Sequence, residues 1–526
     1  MSWSTASLPE RYNAAADLLD GNLEAGGGDR LAIRTADGQE LTYAEVAATA
    51  NRVGNGLREL GVEMENRVLM AVLDSPEFAA TFFGTIKLGA VPVPVNTNLK
   101  PGDYAYFLND SRAKVAVVSQ QLAPLLREVR GELRHLRHLV VIGQPDGDER
   151  SWSDLVAGAS DQLDPADTSR DDMCFWLYSS GTTGFPKGVV HLQHDMRFCV
   201  ESYARPILDI GAQDVTFSVA KLYFAYGLGN ALYFPFAVGA STVLLAGPPG
   251  PGVVLDLVKH TRPTLYFGVP TSYANTLAAD PELWGAADFS SVRLCVSAGE
   301  PLSGSLLERW KARTGTDILD GIGSTECCHI FISNRPGEVR PDSSGRVVPG
   351  YEARIVDENG DELPVGEVGT LLVKGDSIGE RYWNQHERTK RTILGEWIDT
   401  GDKYVGDADG FFAYQGRSDD MFKVGGIWVS PSEVESTING HEAVVECAVV
   451  AVIDEERLLQ PEAYVVLQPG QAGGPELQEA LRAHVRARIA HFKCPRDFHF
   501  VTELPRTATG KIQRYRLRAQ HPATVD

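Results

Sequence analysis

The chain has 526 residues, too many for one core, and 43% of them are hydrophobic against 23% charged, the balance of a globular protein with a large interior. Its formal charge of −21 excludes broad nucleic-acid or anionic-membrane binding, which needs a basic footprint, so a polyanionic ligand must meet a local cluster of positive charge. Seven cysteines stand at 174, 199, 295, 327, 328, 447 and 494 with no Cys-x-x-Cys pair, a pattern of reduced thiols rather than of a disulfide frame or zinc site.

The first residues lack the basic stretch and apolar segment of a secretory signal, and no uninterrupted apolar run reaches the roughly 18 residues of a membrane span, so the chain is expected in the cytoplasm. Thr42 and Glu45 have the spacing of a capping box, and Tyr43, Val46, Ala50, Val53, Leu57 and Leu60 follow at helical spacing up to Gly61. A strand over 67–73, a helix over 76–88 and a strand over 91–95 make a strand-helix-strand unit, which implies a parallel sheet covered on both faces. The pattern continues with strands at 114–118 and 138–142, and residues 173–178 read as a buried strand. The apolar stretch 229–247 is broken by Pro235 and reads as buried helix and strand. Strand-like runs at 444–452, 462–467 and 498–501 surround an apolar stripe of Leu477, Leu481, Val485 and Ile489, which reads as a compact α+β module. The expected fold is therefore α/β, with a large N-terminal domain of doubly covered sheets over 1–418 and a small α+β C-terminal domain over 419–526.

The strand at 173–178 runs into residues 178–188, Tyr-Ser-Ser-Gly-Thr-Thr-Gly-Phe-Pro-Lys-Gly. Gly181, Gly184 and Gly188 let backbone N–H groups turn towards an anion, Ser179, Ser180, Thr182 and Thr183 add hydroxyl donors, and Lys187 adds charge. This is a phosphate-binding composition. The spacing is not that of the common P-loop, because Pro186 precedes the lysine and Gly188 follows it.

Further motifs follow in order: Gly323-Ser-Thr-Glu326, Trp397-Ile-Asp-Thr-Gly-Asp402, Gly416-Arg-Ser-Asp-Asp420 with Lys423-Val-Gly-Gly426, and Pro505-Arg-Thr-Ala-Thr-Gly-Lys511. With the run at 178–188 they resemble the acyl-adenylate-forming superfamily, which includes acyl-CoA synthetases, adenylation domains of peptide synthetases and luciferases. The resemblance implies ATP, Mg²⁺ and coenzyme A. It implies that Lys511 bridges the acyl carboxylate and the α-phosphate, where two anions meet and positive charge is required. Glu326 would then hold Mg²⁺, for which one well-placed carboxylate is enough, and Thr325 would donate to the α-phosphate. Asp402 and Arg417 would reach the ribose, while Gly299, Glu300, Pro301, Asp320, Gly321 and Ile322 would enclose the adenine.

The same resemblance implies a small domain that rotates about Asp419 and exchanges Lys511 for a thiol tunnel lined by Gly425 and Gly426. Phe492 and Arg496 would hold the nucleotide end of CoA; the segment reads equally as a basic loop leading into a strand. For the acyl group, Phe224 is followed by Ala225 where amino-acid-activating relatives place an aspartate, so an ammonium would lack its counter-charge. Benzoate-type aryl-CoA ligases are the nearest resemblance, with Phe224, Ala225, Tyr226, Gly323, His329 and Ile332 lining a flat-ring pocket. The implied function is AMP-forming ligation of a small aromatic acid to CoA. The expected partners are an aromatic carboxylate and CoA, with no nucleic acid and no membrane; a homodimer stays open. Two rivals stand beside it: an enzyme that loads a carrier-protein arm, and a non-catalytic acyl- or nucleotide-binding relative, against which Lys511, Glu326 and Asp402 argue.

Overall fold

The computed structural model describes residues 4–179, 186–285, 288–417, 420–424, 427–453, 459–506 and 512–518. Among the described residues, two large sheets form the frame of the N-terminal part. One is fully parallel in the order Val91–Pro94, Arg67–Ala71, Val115–Ser119, His138–Ile142, Arg150–Ser151. The other runs Arg346–Val347, Ile330–Ser333, Ile318–Gly323, Leu294–Ser297, Leu265–Gly268, Val215–Ser218, Ser241–Leu244, Leu31–Thr35, Glu40–Thr42, parallel at its centre and antiparallel at both edges.

The helices Tyr43–Glu59 and Pro76–Lys87 belong to one apolar cluster with side chains of both sheets, including Val68 and Met70 from one and Ile33, Leu244 and Phe267 from the other. This explains why Pro76–Lys87 is apolar nearly all round, as a helix buried on every side must be. The capping box is present: Thr42 N–H donates to Glu45 Oε2 at 2.8 Å and Glu45 N–H donates to Thr42 Oγ1 at 3.3 Å. The helices touch through glycine, since a Cβ on Gly84 would lie 2.4 Å from the Ala50 carbonyl oxygen.

Between the frames lies a small antiparallel sheet of Arg381–Tyr382, Lys187–Leu192 and Met173–Ser179. A second antiparallel sheet joins Glu352–Val356, Val368–Lys374, Trp397–Gly406 and Ile393–Leu394, with Phe412–Arg417 also paired to Trp397–Gly406. Its strand Val368–Lys374 alternates buried with partly exposed residues while the others are mostly half-buried, and the sequence reading passed over them. Residues 229–247 are helical through Gly229–Tyr233 and Phe234–Phe236 and then form the strand Ser241–Leu244.

The C-terminal module has Val444–Ile453 antiparallel to Leu459–Leu467, with Phe498–Val501 parallel beside it. Its helix Pro475–Arg486 buries Leu481 and Val485 and ends before Ile489, which packs on the same core from beyond the helix. The apolar clusters of this module contain no residue before Phe422, and the main N-terminal cluster none after Tyr414. Each part thus has its own core. No helix among the described residues is long and apolar enough to cross a membrane.

Gly84→Ala should cost about 1–3 kcal/mol, because the new methyl group meets backbone that cannot move aside. Gly102→Ala, in the helix Pro101–Ser111 with nothing within 4 Å of the new methyl, should leave stability equal or slightly raised. Thermal unfolding midpoints of the two variants check the contrast.

Candidate active site

Strand register brings the two ends of the phosphate-binding run to the small central sheet, where Ser179 stands opposite Lys187. Tyr382 lies on the third strand, paired with Val189. Three donors from these three strands converge on one oxygen. Ser179 Oγ, Lys187 Nζ and Tyr382 Oη reach Glu326 Oε1 at 3.0, 2.9 and 3.0 Å. The ammonium also bonds Tyr382 Oη at 2.8 Å and lies 4.1 Å from that ring's centroid. Burial alone would raise the Glu326 carboxyl, but the Lys187 charge and bond outweigh it and hold the group at about 2. Burial and the neighbouring Glu326 carboxylate push the Tyr382 phenol well up, so it remains a donor.

Glu326 and Thr325 follow the strand Ile318–Gly323 in a tight turn. Cys328 N–H donates to the Thr325 carbonyl at 3.2 Å, and Cys328 itself takes φ +67°. The Glu326 carbonyl accepts from Gly379 N–H at 2.7 Å. Gly323 must be glycine here, since a Cβ would lie 2.6 Å from the His329 carbonyl oxygen.

The nucleotide residues fall into two groups. Asp402 and Arg417 are register partners on neighbouring strands, and Arg417 Nη1 donates to Asp402 Oδ1 at 3.0 Å and to the Thr400 carbonyl at 3.0 Å. Gly299, Glu300 and Pro301 follow the strand Leu294–Ser297, while Asp320, Gly321 and Ile322 lie on the adjacent parallel strand. Burial pushes the Asp320 carboxyl well above the carboxylate range. Glu300 is engaged at both oxygens: Thr271 Oγ1 donates to Oε2 at 2.7 Å and Arg506 Nη1 reaches Oε1 at 3.3 Å. Arg506 also pairs with Glu446, so one guanidinium ties the adenine segment to the C-terminal module.

Phe224 packs on Tyr223, while Tyr226 and Gly323, also expected at the ring, lie against His329. Its ring lies 4.5 Å from Phe234, 5.6 Å from Tyr226 and 5.6 Å from Tyr203, centroid to centroid. His329 Nε2 faces Asn230 Oδ1 at 3.1 Å, and burial pushes the imidazole down to about 3, so it is neutral. Gly229 admits the ring, because a Cβ there would stand 2.4 Å from His329 Cδ2. Gly229 and Asn230 were not singled out from sequence, although both lie in the segment that carries Phe224, Ala225 and Tyr226. The Tyr226 hydroxyl donates towards the carbonyls of Val296 at 3.1 Å and Gly268 at 3.2 Å, which occupies its donor. Ile332 is buried opposite Ile322.

Phe492 and Arg496 lie on the C-terminal module, where Phe492 packs on its core and Arg496 N–H donates to the Pro461 carbonyl at 2.8 Å. Ser180, Gly181, Thr182, Thr183, Gly184, Asp419, Gly425, Gly426 and Lys511 lie outside the described residues. Tyr382 is another residue of the candidate site that sequence reading missed; it sits in a two-residue strand with no periodic signal of its own.

Residues 21–383 match the model of the AMP-binding enzyme family, and residues 433–511 match that of the AMP-binding enzyme C-terminal domain. The chain belongs to the AMP-binding enzyme family. It is 50% identical over 514 residues to a benzoate–CoA ligase of Thauera aromatica, covering 97% of each chain. The anthranilate CoA ligase AuaEII, solved with anthranoyl-AMP, superposes with a TM-score of 0.95 at 45% identity, over 98% of this chain and 99% of that one. A benzoate CoA ligase from Burkholderia xenovorans LB400 superposes with a TM-score of 0.88 at 43% identity, over 96% and 100% of the two chains.

The CoA ligases of the AMP-binding enzyme family use ATP and CoA. The residues here suit that nucleotide on two observations. Asp320 Oδ1 is buried without a partner among the described residues, an acceptor awaiting a donor. Gly299, at φ +90°, has open space where a side chain would stand.

Removing Lys187 should invert the sign of the Glu326 contribution to stability. In the native protein the Glu326 carboxyl titrates at about 2, below its unfolded value of about 4.3, so its stabilisation is present above pH 4.3 and is lost as pH falls towards 2. In Lys187→Met burial is opposed only by hydrogen bonds such as those from Ser179 and Tyr382, and the carboxyl should rise above its unfolded value. The gap in thermal midpoint between native protein and variant should therefore be widest near neutral pH and narrow as pH falls below about 5. Midpoints measured across that range check it.

Proposed function

We propose that the protein joins a small aromatic acid, benzoate or a close analogue, to CoA while ATP is cleaved to AMP and pyrophosphate. The observation that carries this reading is the neutral, ring-walled surface around His329. The imidazole is uncharged, the Tyr226 hydroxyl is engaged, and burial disfavours charge on Asp320, the acid whose charge would reach Tyr203 and Tyr226. An ammonium on the substrate would enter such a surface unpaired, at a cost of roughly several kcal/mol. Ala225 leaves room beside Phe224 for a flat ring, with Gly323 and Ile332 completing the wall.

In the first half-reaction a carboxylate oxygen bonds the α-phosphorus and pyrophosphate leaves. Ser179 and Lys187, with Ser180, Gly181, Thr182, Thr183 and Gly184, cradle the phosphates, and Thr325 donates to the α-phosphate. Asp402 and Arg417 hold the ribose, and residues 299–301 and 320–322 enclose the base. Lys511 sets its charge between the two reacting anions. Glu326, ionised and at the phosphate end, would hold Mg²⁺, which supplies charge neutralisation of the leaving pyrophosphate when bound. In the second half-reaction the CoA sulfur bonds the acyl carbon and AMP leaves. The chain then divides at 418/419, with Asp419 as pivot, Gly425 and Gly426 along the thiol path, and Phe492 and Arg496 at the CoA nucleotide. Separate cores joined by polar contacts favour such a rotation.

A narrower reading has one observation of its own. His329 Nδ1 is buried without a partner among the described residues, and with Nε2 hydrogen-bonded to an amide oxygen it is an acceptor. A hydroxy or amino group on the ring would pair with it.

Two measurements test the proposal. Release of AMP in the presence of free CoA should give the highest kcat/KM with benzoate or a hydroxy- or aminobenzoate, and values lower by orders of magnitude with phenylalanine and medium-chain fatty acids. Preference for either of the latter would overturn the pocket reading, and a need for a carrier protein in place of CoA would overturn the acceptor. Lys511→Ala should abolish formation of the aryl-adenylate yet still convert supplied aryl-AMP to thioester; equal loss of both steps would sink the assigned role.

A further inference from the structure

The strand Lys187–Leu192 carries a second polar side chain on the same face as Lys187, because residues four apart along a strand point the same way. That residue is His191, fully buried and stacked on Phe175 at 4.9 Å between centroids with an 18° interplanar angle. Nothing in the chemistry above uses it. Its Nε2 lies 2.8 Å from the Thr325 carbonyl oxygen, and its Nδ1 lies 2.7 Å from Oδ2 of Asp195, which is also fully buried. A carbonyl only accepts, so Nε2 carries hydrogen and donates to Thr325, while His191 and Asp195 share the second proton.

His194 repeats the arrangement one turn along the chain. Its two nitrogens face the carbonyl oxygens of Arg170 at 2.9 Å and Asp376 at 3.0 Å, and its Nε2 is 3.2 Å from Asp195 Oδ1. Asp376 begins the loop whose Gly379 N–H donates to the Glu326 carbonyl. His191 thus holds the Thr325 carbonyl directly, and His194 holds the loop that bonds the Glu326 carbonyl. Asp195 Oδ2, accepting also from Leu192 N–H at 3.2 Å, anchors His191. A buried imidazole hydrogen-bonded at both nitrogens, one of them to this backbone, is better placed to orient it than to fill space.

We propose that His191, seated on Asp195, is a positioning residue for adenylation: it holds the Thr325 carbonyl so that the Glu326 carboxylate meets Ser179, Lys187 and Tyr382. The proposal rests on the reading that Thr325 and Glu326 serve the adenylation half-reaction. One strand then sets both ends of the dipeptide, Lys187 at the Glu326 side chain and His191 at the Thr325 backbone. A slip of the strand by one residue would lose both contacts together.

The test separates the half-reactions. His191→Phe keeps a ring against Phe175 but leaves the Thr325 carbonyl without its donor, and the expected result is a fall in the rate of aryl-AMP formation of about tenfold or more, with a raised KM for magnesium ATP. Thioester formation from supplied aryl-AMP and CoA should stay within about twofold, because that step does not use the Glu326 cluster. The double variant His191→Gln with Asp195→Asn rebuilds an uncharged donor chain, Asn amide to Gln oxygen and Gln amide to Thr325, and should recover most of the lost adenylation. It also serves if His191→Phe does not fold. Glu326→Gln is measured alongside. Equal loss of both half-reactions in His191→Phe, or unchanged adenylation there while Glu326→Gln loses it, would overturn the proposal; so would a double variant that folds with both half-reactions equally impaired. Unchanged adenylation in Glu326→Gln would overturn the reading of Glu326 and the proposal with it.

Discussion

The interaction on which the site depends is the meeting of Lys187 and Glu326. A carboxylate taken out of water beside a polyanion has two reasons to pick up a proton, its own desolvation and the negative charge of its neighbour. Glu326 stays ionised because an ammonium, a phenol and a hydroxyl all converge on one of its oxygens. The small central sheet exists for this: its three strands carry Ser179, Lys187 and Tyr382, each on a separate strand, while Glu326 arrives from the end of the large sheet. Neither large sheet alone could assemble the cluster.

How the two parts of the chain are joined follows a different rule. Each part is held by its own apolar core, whereas contacts between the parts include charged and hydrogen-bonded ones: Arg506 to Glu300, and Ser436 Oγ to Asp342 Oδ1 at 2.9 Å. Polar contacts of this kind exchange readily with water, so breaking them costs far less than opening a core. Arg506 stands in the sequence motif that ends in Lys511, and Glu300 in the segment expected at the adenine.

Much of the frame was legible in the sequence. The strands His138–Ile142 and Phe498–Val501 and the helix cap at Thr42 stand where apolar runs and capping chemistry put them, since the signal and its cause are local. The candidate site was legible where its residues sit in motifs, as with Ser179, Lys187, Glu326, Asp402 and Arg417. Tyr382, His191, Asp195 and Asn230 were not. Tyr382 meets a partner 56 residues away and His191 one 134 residues away, and neither occupies a position whose local pattern announces a contact. The antiparallel sheet around Trp397–Gly406 escaped for a related reason: its strands are half-exposed and short of long apolar runs, so pairing rather than composition defines them.

Charge accounting inside the site leads one step further. In the described structure Lys187 is matched by Glu326, Arg417 by Asp402, and Arg506 by Glu300 and Glu446. These basic groups are already balanced by carboxylates before any nucleotide enters, and the chain as a whole carries −21. A triphosphate therefore meets oriented donors without net positive charge. Its own charge must be offset by a cation that travels with it, which is the physical case for entry as a magnesium complex. The additional negative charge that builds where carboxylate and phosphate meet has to be offset by a further positive group. On the proposed reading that group is Lys511 of the small domain. On that reading a site whose described charges are balanced receives its last positive charge from the other domain, so bound nucleotide advances to chemistry only when the two domains meet over substrate.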